Sequence, residues 1–378
     1  MIFKEEIIKY SKEIGIDLIG FTESEIFHDL EAILRKREKK NLLSGFEEQN
    51  IDKRINPHLT LENSHTIIVI GMSYYVNEGD ITSKDSNKPT GNVSKSSWGR
   101  DYHLVLKSKM KMLVEYIEKK TKDFQYEYFT DTGPLVDRYL AYKAGIGWYG
   151  KNNCIITKEY GSWIFIGYIL SNLEININME ESKNEGCLNC NNCIKACPTG
   201  ALMENQLYNP KLCISYLTQT KEDIDYKLRE KMGKSLYGCD ICQLVCPYNS
   251  NKTTTHKEFI PVGDNYKPNL LGLLKLSNKE FKKRFEKAAL NWRGNKIIKR
   301  NALIALGNSG DKDMVKYLVE YLNSPSIMIK KYTAWAIIRL DRKKGKKILD
   351  KHLEKEKDIE MNEEIKKLYN YYLRNLHN

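Results

Sequence analysis

No apolar run in the 378 residues approaches the ~20 needed to cross a bilayer. The opening stretch MIFKEEIIKYSKEIGIDLIG is amphipathic and carries acidic residues where a secretory signal has an apolar core, so a soluble cytoplasmic protein is expected. In that reducing setting disulfides lose most of their footing. No GxGxxG follows a strand and opens a helix, which leaves a Rossmann dinucleotide site without support. The glycine-rich Gly145-Ile-Gly147-Trp-Tyr-Gly150-Lys151 lacks the Walker spacing and reads first as a tight turn.

What is present is cysteine in a pattern. Cys187, Cys190, Cys193 and Cys197-Pro198 have the bacterial ferredoxin spacing CxxCxxCxxxCP. After Cys213, a stretched version follows at Cys239, Cys242 and Cys246-Pro247. In such runs three thiolates hold one cubane and the fourth reaches to another. The same exchange at both ends pairs Cys187, Cys190, Cys193 and Cys246 on one [4Fe-4S] cluster and Cys197, Cys213, Cys239 and Cys242 on the other. Zinc knuckles also use CxxC pairs but give no reason for the fused run closed by proline. Cys154, the ninth, is left over, with a buried structural role more in keeping than a catalytic one.

The length allows two or three domains, and 41% hydrophobic content suits a globular protein. A net charge of +12 is a usual footprint of a polyanionic partner but by itself weak evidence for one, since many lysines also make a well-solvated surface. Along the chain, helical spacing near the N-terminus gives way to Leu18–Phe21, and a polar stretch spans 28–57. Thr66–Gly71 reads as a buried strand, and 76–97 as a mobile loop. A helix over 98–120 should turn Leu104, Leu106, Met110, Leu113 and Ile117 inward. Strands at 126–129, 154–157 and 163–169 and a helix at 135–145 complete an α+β sheet with helices on it.

From 279 to 300 nine Lys or Arg face two Glu, and short helices follow at 296–307, 312–323, 326–341, 343–356 and 359–376. A weak 31-residue repeat brings Ile298-Lys299-Arg300 back as Ile329-Lys330-Lys331, resembling HEAT-like repeats.

More than 170 residues precede the first cluster ligand, far more than an electron carrier needs. An active-site domain is therefore expected. Asp131, ending a short strand before Thr132-Gly133-Pro134, is the candidate acid, provided burial raises its pKa. A helix N-cap fits the same residue equally well. Tyr102 and His103 are ambiguous in the same way.

Together Ser94–His103, Asp131–Arg138, Ala144–Asn152, the eight cysteines, Cys213–Gln219 and Cys246–Asn249 resemble epoxyqueuosine reductases over nearly the whole chain. The resemblance implies a cobalamin-dependent enzyme that reduces epoxyqueuosine to queuosine at the wobble position of tRNA, acting as a monomer with an external low-potential electron donor. It implies a cobalamin-binding α/β core over 1–175, a ferredoxin-like domain over 176–260 and a basic helical-repeat domain over 261–378. Asp131 would be the proton donor, with Arg54, Ser94, Asp131, Ile155 and Ser215 lining cobalamin. Gln219, Lys221, Lys296, Lys299 and Arg300 would approach the anticodon stem-loop. Cobalamin leaves no signature of its own, since DxHxxG is absent. Two rival readings remain: a reductive dehalogenase, disfavoured by the missing export signal and the basic tail, and an electron-transfer subunit, which cobalamin binding would exclude.

Overall fold

The computed structural model describes residues 3–81, 89–177, 186–203 and 208–373. The chain divides into two compact units, one of Met1–Ile81, Gly99–Cys213 and Asp240–Ile260, the other of Thr82–Trp98, Ile214–Cys239 and Pro261–Asn378. The segment expected as a ferredoxin-like domain therefore contributes to both.

The first unit is built on a four-stranded sheet ordered Leu18–Glu23, Thr66–Ser73, Ile164–Ser171, Tyr126–Phe129, with every neighbour antiparallel. Thr66–Ser73 is buried along its whole length, as a β-branched run between two other strands should be. Helix Tyr102–Glu118 buries Leu106, Met110, Leu113 and Ile117, as its spacing predicts, together with Val105 and Val114. Leu104 instead stays 48% exposed, one residue off that stripe. Gly167 makes the close approach possible, because a Cβ there would sit 3.1 Å from the Met110 sulfur. The polar stretch 28–57 holds two helices, His28–Lys39 and Ile51–Ile55, whose apolar stripe is only a few residues wide.

The second unit is mostly helical. Gly294–Gly307 and Ile327–Leu340 contact each other at its centre, with Arg342–Leu353 and Ile359–Tyr372 against the second of them. The expected helix at 312–323 is one α turn between two 3-10 turns. A two-stranded parallel ladder pairs Asn92–Val93 with Ser235–Tyr237. No helix among the described residues is long and apolar enough to cross a membrane.

Candidate active site

The four cysteines that spacing assigns to one cluster, Cys187, Cys190, Cys193 and Cys246, line a single cavity of about 280 Å³ in the first unit. Leu188 takes a left-handed backbone at φ 37°, and the Cys190 N–H bonds the Cys187 carbonyl at 2.7 Å, curling the first CxxC into a tight loop. Cys193 lies in helix Asn192–Ala196 and Cys246 just past helix Ile241–Leu244, where Pro247 opens a 3-10 turn. Burial and repulsion from Cys187 and Cys190 push the Cys193 and Cys246 thiols up. Bound iron would remove that penalty. No three His, Cys, Asp or Glu side chains among the described residues converge on a single metal ion. A cubane asks for something different, thiols spaced around a void, and these four provide it.

Lys151 ties the loop down. Its Nζ donates to the Leu188 carbonyl at 2.8 Å, the Cys190 carbonyl at 3.0 Å and Asn191 Oδ1 at 2.8 Å, while its backbone N–H points at Cys187 Sγ from 3.4 Å. The sequence offered a lysine in a glycine-rich turn but no sign of these partners.

Of the other set, Cys197, Cys213 and Cys242 belong to the first unit and Cys239 ends a segment of the second. Burial works against the Cys197 thiolate. Hydrogen bonds from Thr199 and from the backbone of Leu202 and Ala201 outweigh it and hold that thiol below its ordinary range. Burial pushes the half-buried Cys154 thiol up to about 11, so it stays protonated, within electrostatic reach of Cys213 and Cys246.

Asp131 follows strand Tyr126–Phe129 in a left-handed conformation, φ 59°. A non-glycine residue holds that shape only when neighbours fix it. Here the Asp131 N–H donates to Asp137 Oδ2 at 2.9 Å. The helix that follows begins at Asp137 with Val136 as its uncapped N-cap, so Asp131 does not cap that helix. Its carboxylate lies 3.7 Å from His103 Nε2, and His103 Nδ1 lies 2.7 Å from Asp101 Oδ1. Partial desolvation favours protonated Asp131, yet the His103 ring 3.7 Å away and the Tyr102 side chain prevail and hold it below the usual carboxylate range. The raised pKa expected for this acid is thus absent from the side chain as it stands, 67% exposed. The proton sits next door. Burial opposes a charge on His103, but its bonds to the two aspartates raise it to about 9, and burial with repulsion from Asp131 raises Asp137 to about 7.

Arg54, 9% exposed, keeps a buried Nη1 with no hydrogen-bond partner. Burial lowers its pKa against the opposing charge of Glu47, and the charges of Arg37 and Arg138 lower it further. Asn152 Nδ2 and Trp148 Nε1 are likewise buried and unpartnered. All three are donors that an acceptor-rich ligand would satisfy, and in the same unit Trp163 Nε1 and the hydroxyls of Ser73, Thr121 and Thr130 are also buried without a partner. Strands Trp148–Tyr149 and Ile155–Ile156 form a hairpin, and Ile155 is 2% exposed in it. The same hairpin carries Lys151 and Asn152 to the cluster cavity, so two of the three donors, Trp148 and Asn152, stand on an element that lines it, while Arg54 lies in helix Ile51–Ile55.

In the second unit Ser94 caps the 3-10 turn Lys95–Ser97 and Ser215 lies in the short helix Ile214–Leu217, with the Ser94 N–H bonded to the Tyr237 carbonyl at 2.8 Å and the Ser215 carbonyl accepting from Gln219 Nε2 at 2.9 Å. Lys221 and Lys296 are exposed and Lys299 half-buried. Arg300 corrects the expectation of a phosphate contact. Fully buried, it donates to the carbonyls of Thr220 at 2.6 Å and Leu217 at 2.8 Å and twice to Asn301 Oδ1. It offers no charge to a polyanion.

These features are those of an iron–sulfur oxidoreductase: eight cysteines in ferredoxin spacing, four of them around one void, with buried unpartnered donors in the same unit. A family model described as 4Fe-4S double cluster binding domain matches residues 186–249, and one described as Epoxyqueuosine reductase QueG, DUF1730 matches 54–132. The epoxyqueuosine reductase of Listeria monocytogenes is 39% identical over 96% of this chain and 96% of its own, and that of Bacillus subtilis 40% over 96% and 94%. A crystal structure of epoxyqueuosine reductase with a tRNA-Tyr epoxyqueuosine-modified stem loop is 40% identical, with a TM-score of 0.90 over 97% of this chain and 98% of that one. The chain belongs to the epoxyqueuosine reductase family.

Proposed function

We propose that this chain reduces epoxyqueuosine to queuosine in the anticodon loop of tRNA, with cobalamin at the reacting centre, two [4Fe-4S] clusters feeding it from an external low-potential donor, and Asp131 delivering a proton. The full-length match to an epoxyqueuosine reductase crystallised with its modified stem loop carries this reading. Arg54, Asn152 and Trp148 would hold cobalamin through their unpartnered donors, whose natural complements are the amide and phosphate oxygens of that cofactor. When bound, cobalamin would supply low-potential electrons for carbon–oxygen cleavage, and the clusters would replace them singly.

The protein's own part is proton management. Converting an epoxide to an alkene consumes two electrons and two protons and releases water. The oxygen set free by ring opening needs a proton from a placed acid. Asp131 is ionised beside a protonated His103. Enclosure by the substrate would desolvate that carboxylate and draw the His103 proton onto it, ready for the oxygen. Asp101 fixes the ring that hands it over.

Anaerobic reconstitution with iron, sulfide and cobalamin, followed by mass analysis of nucleosides from epoxyqueuosine-containing tRNA, tests the whole. Queuosine should appear, and its absence from fully loaded protein would overturn the reading. Asp131→Asn should keep clusters and cobalamin yet turn over at least about a hundredfold more slowly. Near-normal turnover there would remove Asp131 from its role.

A further inference from the structure

Trp292 lies in the 3-10 turn Ala289–Arg293, inside the basic 279–300 stretch, and 57% of it faces solvent. A lone exposed ring is ordinary on a protein surface, so what marks this one is how it is held and what charge surrounds it. It is not a loose side chain. Its Nε1 donates to the Tyr237 hydroxyl at 2.6 Å, and Tyr237 is itself 7% exposed. The Arg293 guanidinium carbon stands 3.4 Å from the indole centroid, stacked against the ring.

The turn beneath is equally fixed. Ala289 and Leu290 are buried, and the Leu290 N–H donates to Ser97 Oγ at 2.9 Å. One turn of chain onward, Lys296 extends into solvent. The result is a preoriented aromatic ring, backed by a cation and edged by positive charge.

Flat π surfaces carried on negative chains are what such a ring recognises. We propose that Trp292 is a stacking platform for an unpaired nucleobase of the RNA substrate, with Lys296 drawing the adjoining phosphate. The proposal rests on the tRNA reading above and adds to it a specific point of contact. Stacking accepts any base, so the platform would grip the loop without reading its sequence. Arg293 behind the ring holds it rigid and adds positive charge where the backbone passes. Sequence alone would not separate this tryptophan from a core one, because its neighbours Ala289 and Leu290 are buried.

The test measures binding of a fluorescein-labelled anticodon stem-loop RNA to the reconstituted full-length protein over a range of salt. Trp292→Ala should weaken binding about tenfold, the loss expected for one base–aromatic stack, while Trp292→Phe retains most of it. The slope of log Kd against log salt should not change in Trp292→Ala, because no phosphate contact is lost, and should flatten in Lys296→Glu. RNA should quench indole emission in the wild type and less so in Trp292→Phe. Tyr237→Phe, which leaves the indole in place but unanchored, should give an intermediate loss.

Equal affinity in wild type and a folded, cluster-loaded Trp292→Ala would overturn the platform while leaving the tRNA reading intact. Equal RNA affinity together with slower reduction by a protein electron donor would overturn it in favour of a donor-docking patch. Failure of the wild type to bind the stem-loop would overturn the tRNA reading, and the platform with it.

Discussion

Arg54 in the first unit and Arg300 in the second are both buried, with opposite hydrogen-bond inventories. Arg54 in the first keeps a buried nitrogen without a partner and shares its neighbourhood with two further guanidinium groups. Arg300 in the second bonds two carbonyls and the amide of Asn301 from a site with no solvent exposure. A buried cation left unsatisfied is costly and persists where a ligand completes it. One fully engaged with backbone carbonyls belongs to the architecture. Burial is common to both, so the two arginines differ in their hydrogen-bond inventory, and that difference is what a substitution at each can test.

Arg300→Met should therefore have the largest effect on folding. It strands the Leu217 and Thr220 carbonyls and the Asn301 amide, at a cost of about 3 kcal/mol or more in denaturant unfolding. RNA affinity of the folded fraction should not change. A stable Arg300→Met protein with weakened RNA binding would break the comparison. Arg54→Met should do the reverse, holding stability within about 1 kcal/mol while lowering cobalamin affinity roughly tenfold in equilibrium titration. A smaller effect is expected at Lys151→Met, which removes three bonds from the cysteine loop and one positive charge beside the first cavity. The potential of that cluster should fall, followed by redox titration, with iron content unchanged.

How much of this the sequence discloses follows from what fixes each feature. The grouping of Cys187, Cys190, Cys193 and Cys246 was legible because covalent spacing limits which thiols can meet, and the four line one void. Arg300 was not, because its partners Leu217 and Thr220 lie some eighty residues away in sequence and only the fold makes them neighbours. The alternation of charge and apolar residues in 296–307 showed a helix without showing that Arg300 would face inward. Asp131 was legible as a strand-end acid, whereas its left-handed backbone and its pairing with His103 depend on Asp137 and Asp101 standing where they do. Short helices were expected past residue 296 and are present, and the four-stranded antiparallel sheet agrees with the expected α+β core.

The smallest predicted effect concerns His103, which probes a group between the two extremes, partly exposed and fully paired. Its pKa in the folded chain is raised from 6.5 to about 9, since the bonds to Asp101 and Asp131 outweigh burial. A histidine raised in this way contributes stability that is complete below its unfolded value and disappears as pH rises through about 9. Because Asp131 is largely exposed, solvent screens that pair and the contribution should not exceed about 2 kcal/mol. The thermal midpoint of the wild type should thus exceed that of His103→Gln at about pH 6, and the gap should close by about pH 10. If the gap persists unchanged at the alkaline end, His103 stabilises the loop by packing on Tyr102, whose ring stacks on it at 4.1 Å. The charge would then not be what holds Asp131 in place, and the proton that the proposed chemistry needs would have to come from Asp137, the other neighbour raised into the neutral range.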